Sequence, residues 1–160
     1  MAEPLVLRVV PGPDAPGGVP WDPLTEWVVQ PDSDRVGVRF HAAAAPARGR
    51  PGALVGGSSH GVADEHAGRL PGTSRGVVTG VVQLPPGGDP VVLLCDHATV
   101  GGYPLVGTVP SIDAAVLAQL RPGDRCRLVP GDVAGAVADR RRAAAALAAA
   151  VAGRYPTSTA

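Results

Sequence analysis

Hydrophobic positions along this chain fall into short runs separated by proline and glycine. Val77–Leu84 and Val91–Leu94 flank the stretch Pro85-Pro86-Gly87-Gly88-Asp89-Pro90. Two short apolar runs joined by such a stretch predict two buried strands with a tight connecting loop. The second run ends on Cys95-Asp96-His97 and opens into Thr99-Val100-Gly101-Gly102-Tyr103-Pro104. A glycine pair directly after polar groups lets the backbone come close to a ligand or to another segment.

The same reading extends in both directions. Leu5–Val10 predicts a strand closed by Pro11-Gly12-Pro13, and Asp22-Pro23 predicts a short helical turn before an extended Trp27–Val29. Within Ser33–Phe40, apolar residues alternate at Val36, Val38 and Phe40, the pattern of a half-buried strand. Asp113–Leu120 predicts a helix capped by Ser111 or Asp113, with Val116, Leu117 and Leu120 on its apolar side. Arg125–Val129 predicts the last strand. The Ala-rich segment Asp132–Gly153 predicts a weakly packed helix, with Arg140-Arg141-Arg142 as a solvated face. Residues 43–72 carry no sustained periodicity and read as a flexible insertion. The fold class is therefore mainly β with peripheral helices, in one domain over residues 1–131 and a helix and tail over 132–160.

Composition narrows the chemistry. At 160 residues with 45% hydrophobic but 3% aromatic content, Val, Leu and Ala must fill the core. All 14 basic residues are arginine. The absence of lysine excludes a Schiff-base nucleophile and a P-loop lysine. A formal net charge of zero leaves no electrostatic footprint for nucleic acid. Cys95 and Cys126 lie in or beside apolar runs and read as small buried hydrophobes in a reducing compartment. No basic-then-apolar leader and no membrane-length apolar run is seen, so a cytoplasmic location without membrane association is expected.

Candidate chemistry gathers after the second predicted strand. Asp96, the catalytic candidate, and its neighbour His97 stand at a strand end, where side chains leave the core for a cleft. Asp96 either orients substrate or accepts a proton from it, with Thr99 and the Gly101 and Gly102 amides holding an anionic group, or else it caps the turn. Gln83 on the neighbouring strand faces the same cleft or satisfies its amide against backbone. Tyr103 either lines the site or packs over the barrel end. Ser33, Asp34 and Arg35 place a guanidinium for bidentate capture of a carboxylate or phosphate, or form a turn beside a solvated arginine. His60, Asp64, Glu65 and His66 have the residue types of metal ligands but no second cluster to complete a tetrahedral set, so no metal site is expected. No G-x-S-x-G, paired-cysteine zinc spacing or GxGxxG is present.

The block Gly80–Gly107, G-V-V-Q-L-P-P-G-G-D-P-V-V-L-L-C-D-H-A-T-V-G-G-Y-P-L-V-G, resembles the hallmark of the family formed by the C-type subunits of 5-oxoprolinase, also called allophanate hydrolase subunit 2. Ser111-Ile112-Asp113 and Leu117-Ala118-Gln119-Leu120-Arg121-Pro122-Gly123-Asp124 continue the likeness, and Ser33–Phe40 is similar to an upstream family pattern. The chain departs from the family at His41-Ala42, where Glu-Gly is usual, and at Arg75, where an acid is usual. The likeness covers residues 5 to about 131 and only the second half of the family, whose first-half patterns do not occur here.

The resemblance implies a cyclophilin-like β-barrel subdomain. It also implies a part in an ATP-dependent complex, working with A-type and B-type partner subunits on a small cyclic amide, relatives using carboxyl-biotin. Gln83, Asp96, Thr99, Gly101, Gly102 and Tyr103 would then line a shared cleft. The alternative is a non-catalytic binding or regulatory module, since some relatives form regulatory pairs that bind a kinase inhibitor.

Overall fold

The computed structural model describes residues 4–44 and 74–154. Within them, nine strands and two helices follow in chain order: β1 (Leu5–Pro11), β2 (Glu26–Val29), β3 (Gly37–Ala42), β4 (Arg75–Gly76), β5 (Val81–Gln83), β6 (Val91–Leu93), β7 (Val100–Gly101), β8 (Leu105–Thr108), α1 (Ser111–Leu117), β9 (Arg125–Pro130) and α2 (Val133–Arg154). Seven strands close a barrel in the order β1-β8-β5-β6-β3-β2-β9, and β4 pairs with β7 as a separate ribbon. Among the described residues every pair is antiparallel except β1 with β9, which run parallel from Leu5↔Cys126 to Val9↔Pro130.

The two-residue side-chain period of a strand explains the core. Leu7 and Val9 point inward from β1, Trp27 and Val29 from β2, Val38 and Phe40 from β3, and Cys126 and Leu128 from β9. Burying each large apolar side chain contributes about 1.5–3 kcal/mol. Trp21 closes one side, its ring edge-to-face on Trp27 at 5.8 Å and its Nε1 donating to Leu128 O at 2.8 Å. Burial pushes the Cys126 thiol up to about 12.

The expected strand pair is present, with Val82 opposite Val92 and Gln83 opposite Val91. It is shorter than the apolar run. Gly80, at φ +89°, turns the chain so tightly that a Cβ there would lie 2.5 Å from Val109 O, and Val77 stays outside β5. Asp22-Pro23 forms a β-turn and not a helical turn, because Asp22 takes Leu24 N on its side chain at 2.8 Å and Thr25 N on its carbonyl at 2.9 Å. Val36 precedes the strand it was expected to join and is 44% exposed. Cys95 is exposed, since β6 has ended before it. The expected insertion at 43–72 lies outside the described residues apart from positions 43 and 44.

The helices correct one further expectation. Neither Ser111 nor Asp113 caps α1: Pro110 occupies that position, and no side chain caps the turn. Asp113 is instead buried and accepts Arg8 N at 2.9 Å, Nε at 2.9 Å and Nη2 at 2.7 Å, which pins α1 to β1. Arg8 also pairs with Asp139 on α2. Otherwise α2 buries none of its side chains, as an alanine surface dictates. Among the described residues, no helix is long and apolar enough to cross a membrane.

The Arg8 contact makes stability depend on acid. Burial raises the Asp113 carboxyl, but the side-chain and backbone bonds from Arg8 outweigh it and hold the group below its ordinary value. The unfolded chain therefore takes up that proton first, so the stabilisation is complete above about pH 4 and is lost as the pH falls through the folded value. Asp113→Asn is expected to cost about 1.5–3 kcal/mol at neutral pH. Urea midpoints should also depend less steeply on pH below about 4 in the variant than in the wild type.

Candidate functional site

Pairing of β3 with β6 continues past both strands. Leu94 N donates to Val36 O at 2.9 Å and Asp96 N to Arg35 O at 3.1 Å. The turn before β3 is fixed locally: Asp34 Oδ1 accepts Val36 N at 2.8 Å, and Ser33 Oγ accepts Arg39 N at 3.0 Å. Between these two anchors Arg35 projects sideways. Its Nε lies 2.7 Å from Asp96 Oδ2 and its Nη2 3.1 Å from Oδ1, a two-pronged contact. The side chains of Arg35 and Asp96 are 79% and 45% exposed, so solvent screens the pair. The Arg35 bond, then that of Cys95, holds the Asp96 carboxyl below its ordinary value, and Asp96 is ionised at neutral pH. As found, it is a positioning group for Arg35 and a weak proton acceptor.

A second feature lies under the ribbon. Arg75 opposes Gly101 in the β4–β7 pairing, and Gly101 sits directly on the Gln83 amide, where a Cβ would fall 2.1 Å from Nε2. Gln83 is 7% exposed, and its Nε2 has no acceptor among the described residues. The amide borders a cleft of about 150 Å³ whose walls include Val36, Arg39, Val77, Val100 and Tyr103. A larger cleft of about 610 Å³ opens on the other side of the turn, between Ser33, Arg35, Thr79 and Cys95 and the α1 residues Ala114 and Ala115.

The structure thus distributes the expected site residues over two adjoining clefts. Gln83 and Tyr103 share the smaller, Ser33 and Arg35 the larger, and Asp96 stands beside the larger through Arg35. Tyr103 is 49% exposed on the rim. Thr99 takes part through its carbonyl, which accepts Val77 N at 3.1 Å, and Gly102 is exposed. His97 Nδ1 lies 2.6 Å from the carbonyl oxygen of Ala98.

Arg75 faces elsewhere. It grips Asp14 at 2.5 and 2.6 Å, and Asp14 also accepts Leu105 N at 2.7 Å, so the charge change at this position ties the ribbon to the β1–β2 connection. Sequence reasoning missed Arg39. Its only signal was its place between the inward Val38 and Phe40, which marks an outward position on β3. Among the described residues no three His, Cys, Asp or Glu side chains gather as a metal site, and His60, Asp64, Glu65 and His66 lie outside them.

Neither of these clefts, among the described residues, fits ATP. Each cleft is lined by a single arginine, Arg39 or Arg35, and Arg35 is already matched by Asp96, too little charge for a triphosphate. Covalently carried biotin needs a lysine, and the chain has none.

Residues 3–130 match the family described as carboxyltransferase domain, subdomain A and B, and the chain belongs to that family. It is 35% identical over 98 residues to the C subunit of 5-oxoprolinase from Haemophilus influenzae, a match taking in 61% of this chain and 26% of that protein. The chain therefore spans about a quarter of that relative's length. The crystal structure of TTHA0988 superposes with a TM-score of 0.56 at 29% identity, over 80% of this chain and 22% of that one. The urea amidolyase of K. lactis shares the fold, with a TM-score of 0.56 at 20% identity over 85% of this chain and 8% of that one.

Arg35→Ala tests the electrostatics directly. The Asp96 carboxyl is expected to rise towards its ordinary value, followed by NMR titration. The melting temperature should barely move, because both side chains are exposed.

Proposed function

We propose that this chain is a subunit of an ATP-dependent amidohydrolase complex of the 5-oxoprolinase and allophanate hydrolase type. In this reading it lines a cleft that a B-type partner completes, with an A-type protein in the same assembly. One observation carries the reading: on a closed barrel, an exposed Arg35–Asp96 pair and a Gln83 Nε2 without an acceptor among the described residues flank the same turn, beside clefts open to solvent. Membership of the carboxyltransferase family and the naming of the Haemophilus protein as part of 5-oxoprolinase support it.

The residues have distinct roles in this reading. Arg35 is a guanidinium held ready for a carboxylate of the substrate or partner, and Asp96 keeps it in place until that group arrives. Gln83 offers an amide to a carbonyl or carboxylate oxygen at the floor. ATP and biotin are held by other chains, in keeping with the donor set described above.

A non-catalytic binding module is the second reading. It is favoured by the same pair, because Asp96, the carboxylate offered for proton transfer, is already engaged by Arg35.

Co-expression with A-type and B-type partners, followed by an assay of 5-oxoproline-dependent ATP turnover, separates the two. Asp96→Asn is expected to lower turnover about a hundredfold through misplacement of Arg35, with the melting temperature unchanged. A complex that forms but does not turn over points to the binding module. Failure of any complex to form overturns both.

A further inference from the structure

The smaller cleft carries a more specific conclusion. We propose that it is a docking socket for a protein partner, and that it receives one Asp or Glu side chain projecting from an otherwise apolar patch. This rests on the reading that another polypeptide covers this face, and it names the contact.

Size narrows the class of occupant, and the rim chooses within it. Small-molecule sites enclose roughly 300–1,000 Å³, whereas this cleft holds about 150 Å³. That is room for the end of one side chain or for a very small molecule, below the range of ordinary ligand sites.

The rim gives the surroundings. Val36, Val100 and Tyr103 line the cleft while remaining 44%, 56% and 49% exposed. Large apolar side chains grouped around a concavity are the makings of an interface core, with the anchor in the middle.

The floor and one wall give the chemistry of the anchor. Gln83 Nε2 is a buried donor without an acceptor among the described residues, an arrangement rare in native proteins. Arg39 lines the same cleft, loosely held by Asp32 at 3.4 Å with both side chains about half exposed. A carbonyl or hydroxyl would satisfy the amide and leave the guanidinium unused. A carboxylate is chemically suited to both. Gly101 keeps the amide seated, since any Cβ there would collide with it at 2.1 Å.

The test uses the full chain and its co-expressed B-type partner, with affinity measured by calorimetry at low and high salt. Arg39→Gln is expected to weaken binding at least tenfold and to flatten its salt dependence. Tyr103→Ser and Gln83→Met should each weaken it about tenfold, with Arg39 and Tyr103 exposed enough that those two variants fold as the wild type does. Wild-type affinity in all three variants, with the complex intact, overturns the socket and leaves the proposed function standing. If the wild-type chain does not bind the partner at all, the proposed function falls and the socket with it. Free propionate shifting the Gln83 amide resonances, while the three variants bind the partner normally, assigns the cleft to a small carboxylate and overturns the proposal.

Discussion

The parallel pairing of β1 with β9 is the constraint on which this structure depends. The two strands lie more than a hundred residues apart, yet they align from Leu5↔Cys126 to Val9↔Pro130. With β9 held between β1 and β2, the sheet has no free edge, Cys126 and Leu128 face Trp27 inside, and Trp21 reaches Leu128 O. A barrel filled by its own side chains has no room for chemistry within it. The candidate site is therefore external, built from the ends of β3 and β6 and from the ribbon laid over them.

Three arginine–aspartate pairs then do three different things. Arg8 with Asp113 is partly buried, reinforced by a backbone bond, and fixes α1 to the barrel. Arg75 with Asp14 is at least as sheltered, at 16% and 18% exposure, and fixes the ribbon. Arg35 with Asp96 is open to water, fixes little, and so can exchange its partner at small cost. Residue type is the same in all three. Burial decides which pairs are scaffold and which is free to act.

Part of this was legible in the sequence and part was not. The β5–β6 pair, β3 and β9 follow from alternation and turn residues, which are local signals. α2 follows from alanine propensity alone. Gln83 and Asp96 stood out as candidates because one interrupts an apolar run and the other stands just past the end of one, where a polar residue needs a reason. What failed were long-range assignments. Asp113 has the position of a helix cap, but Arg8 lies 105 residues away in sequence and claims it. Arg75 stood out only as a departure from the family pattern, because nothing local reveals Asp14, 61 positions earlier. Arg39 looked like any solvated strand residue, since the wall it contributes to is made of separate segments far apart in the chain.

The central claim is that the face carrying Arg35, Asp96 and the Gln83 cleft is covered by another polypeptide. Hydrogen–deuterium exchange of the full chain, alone and with the B-type partner, tests it most directly. Slowed exchange confined to residues 33–37, 75–78 and 95–103, with α2 unchanged, is the predicted result. Protection along α2 or on the far side of the barrel, with those segments exchanging as in the free chain, would contradict the account.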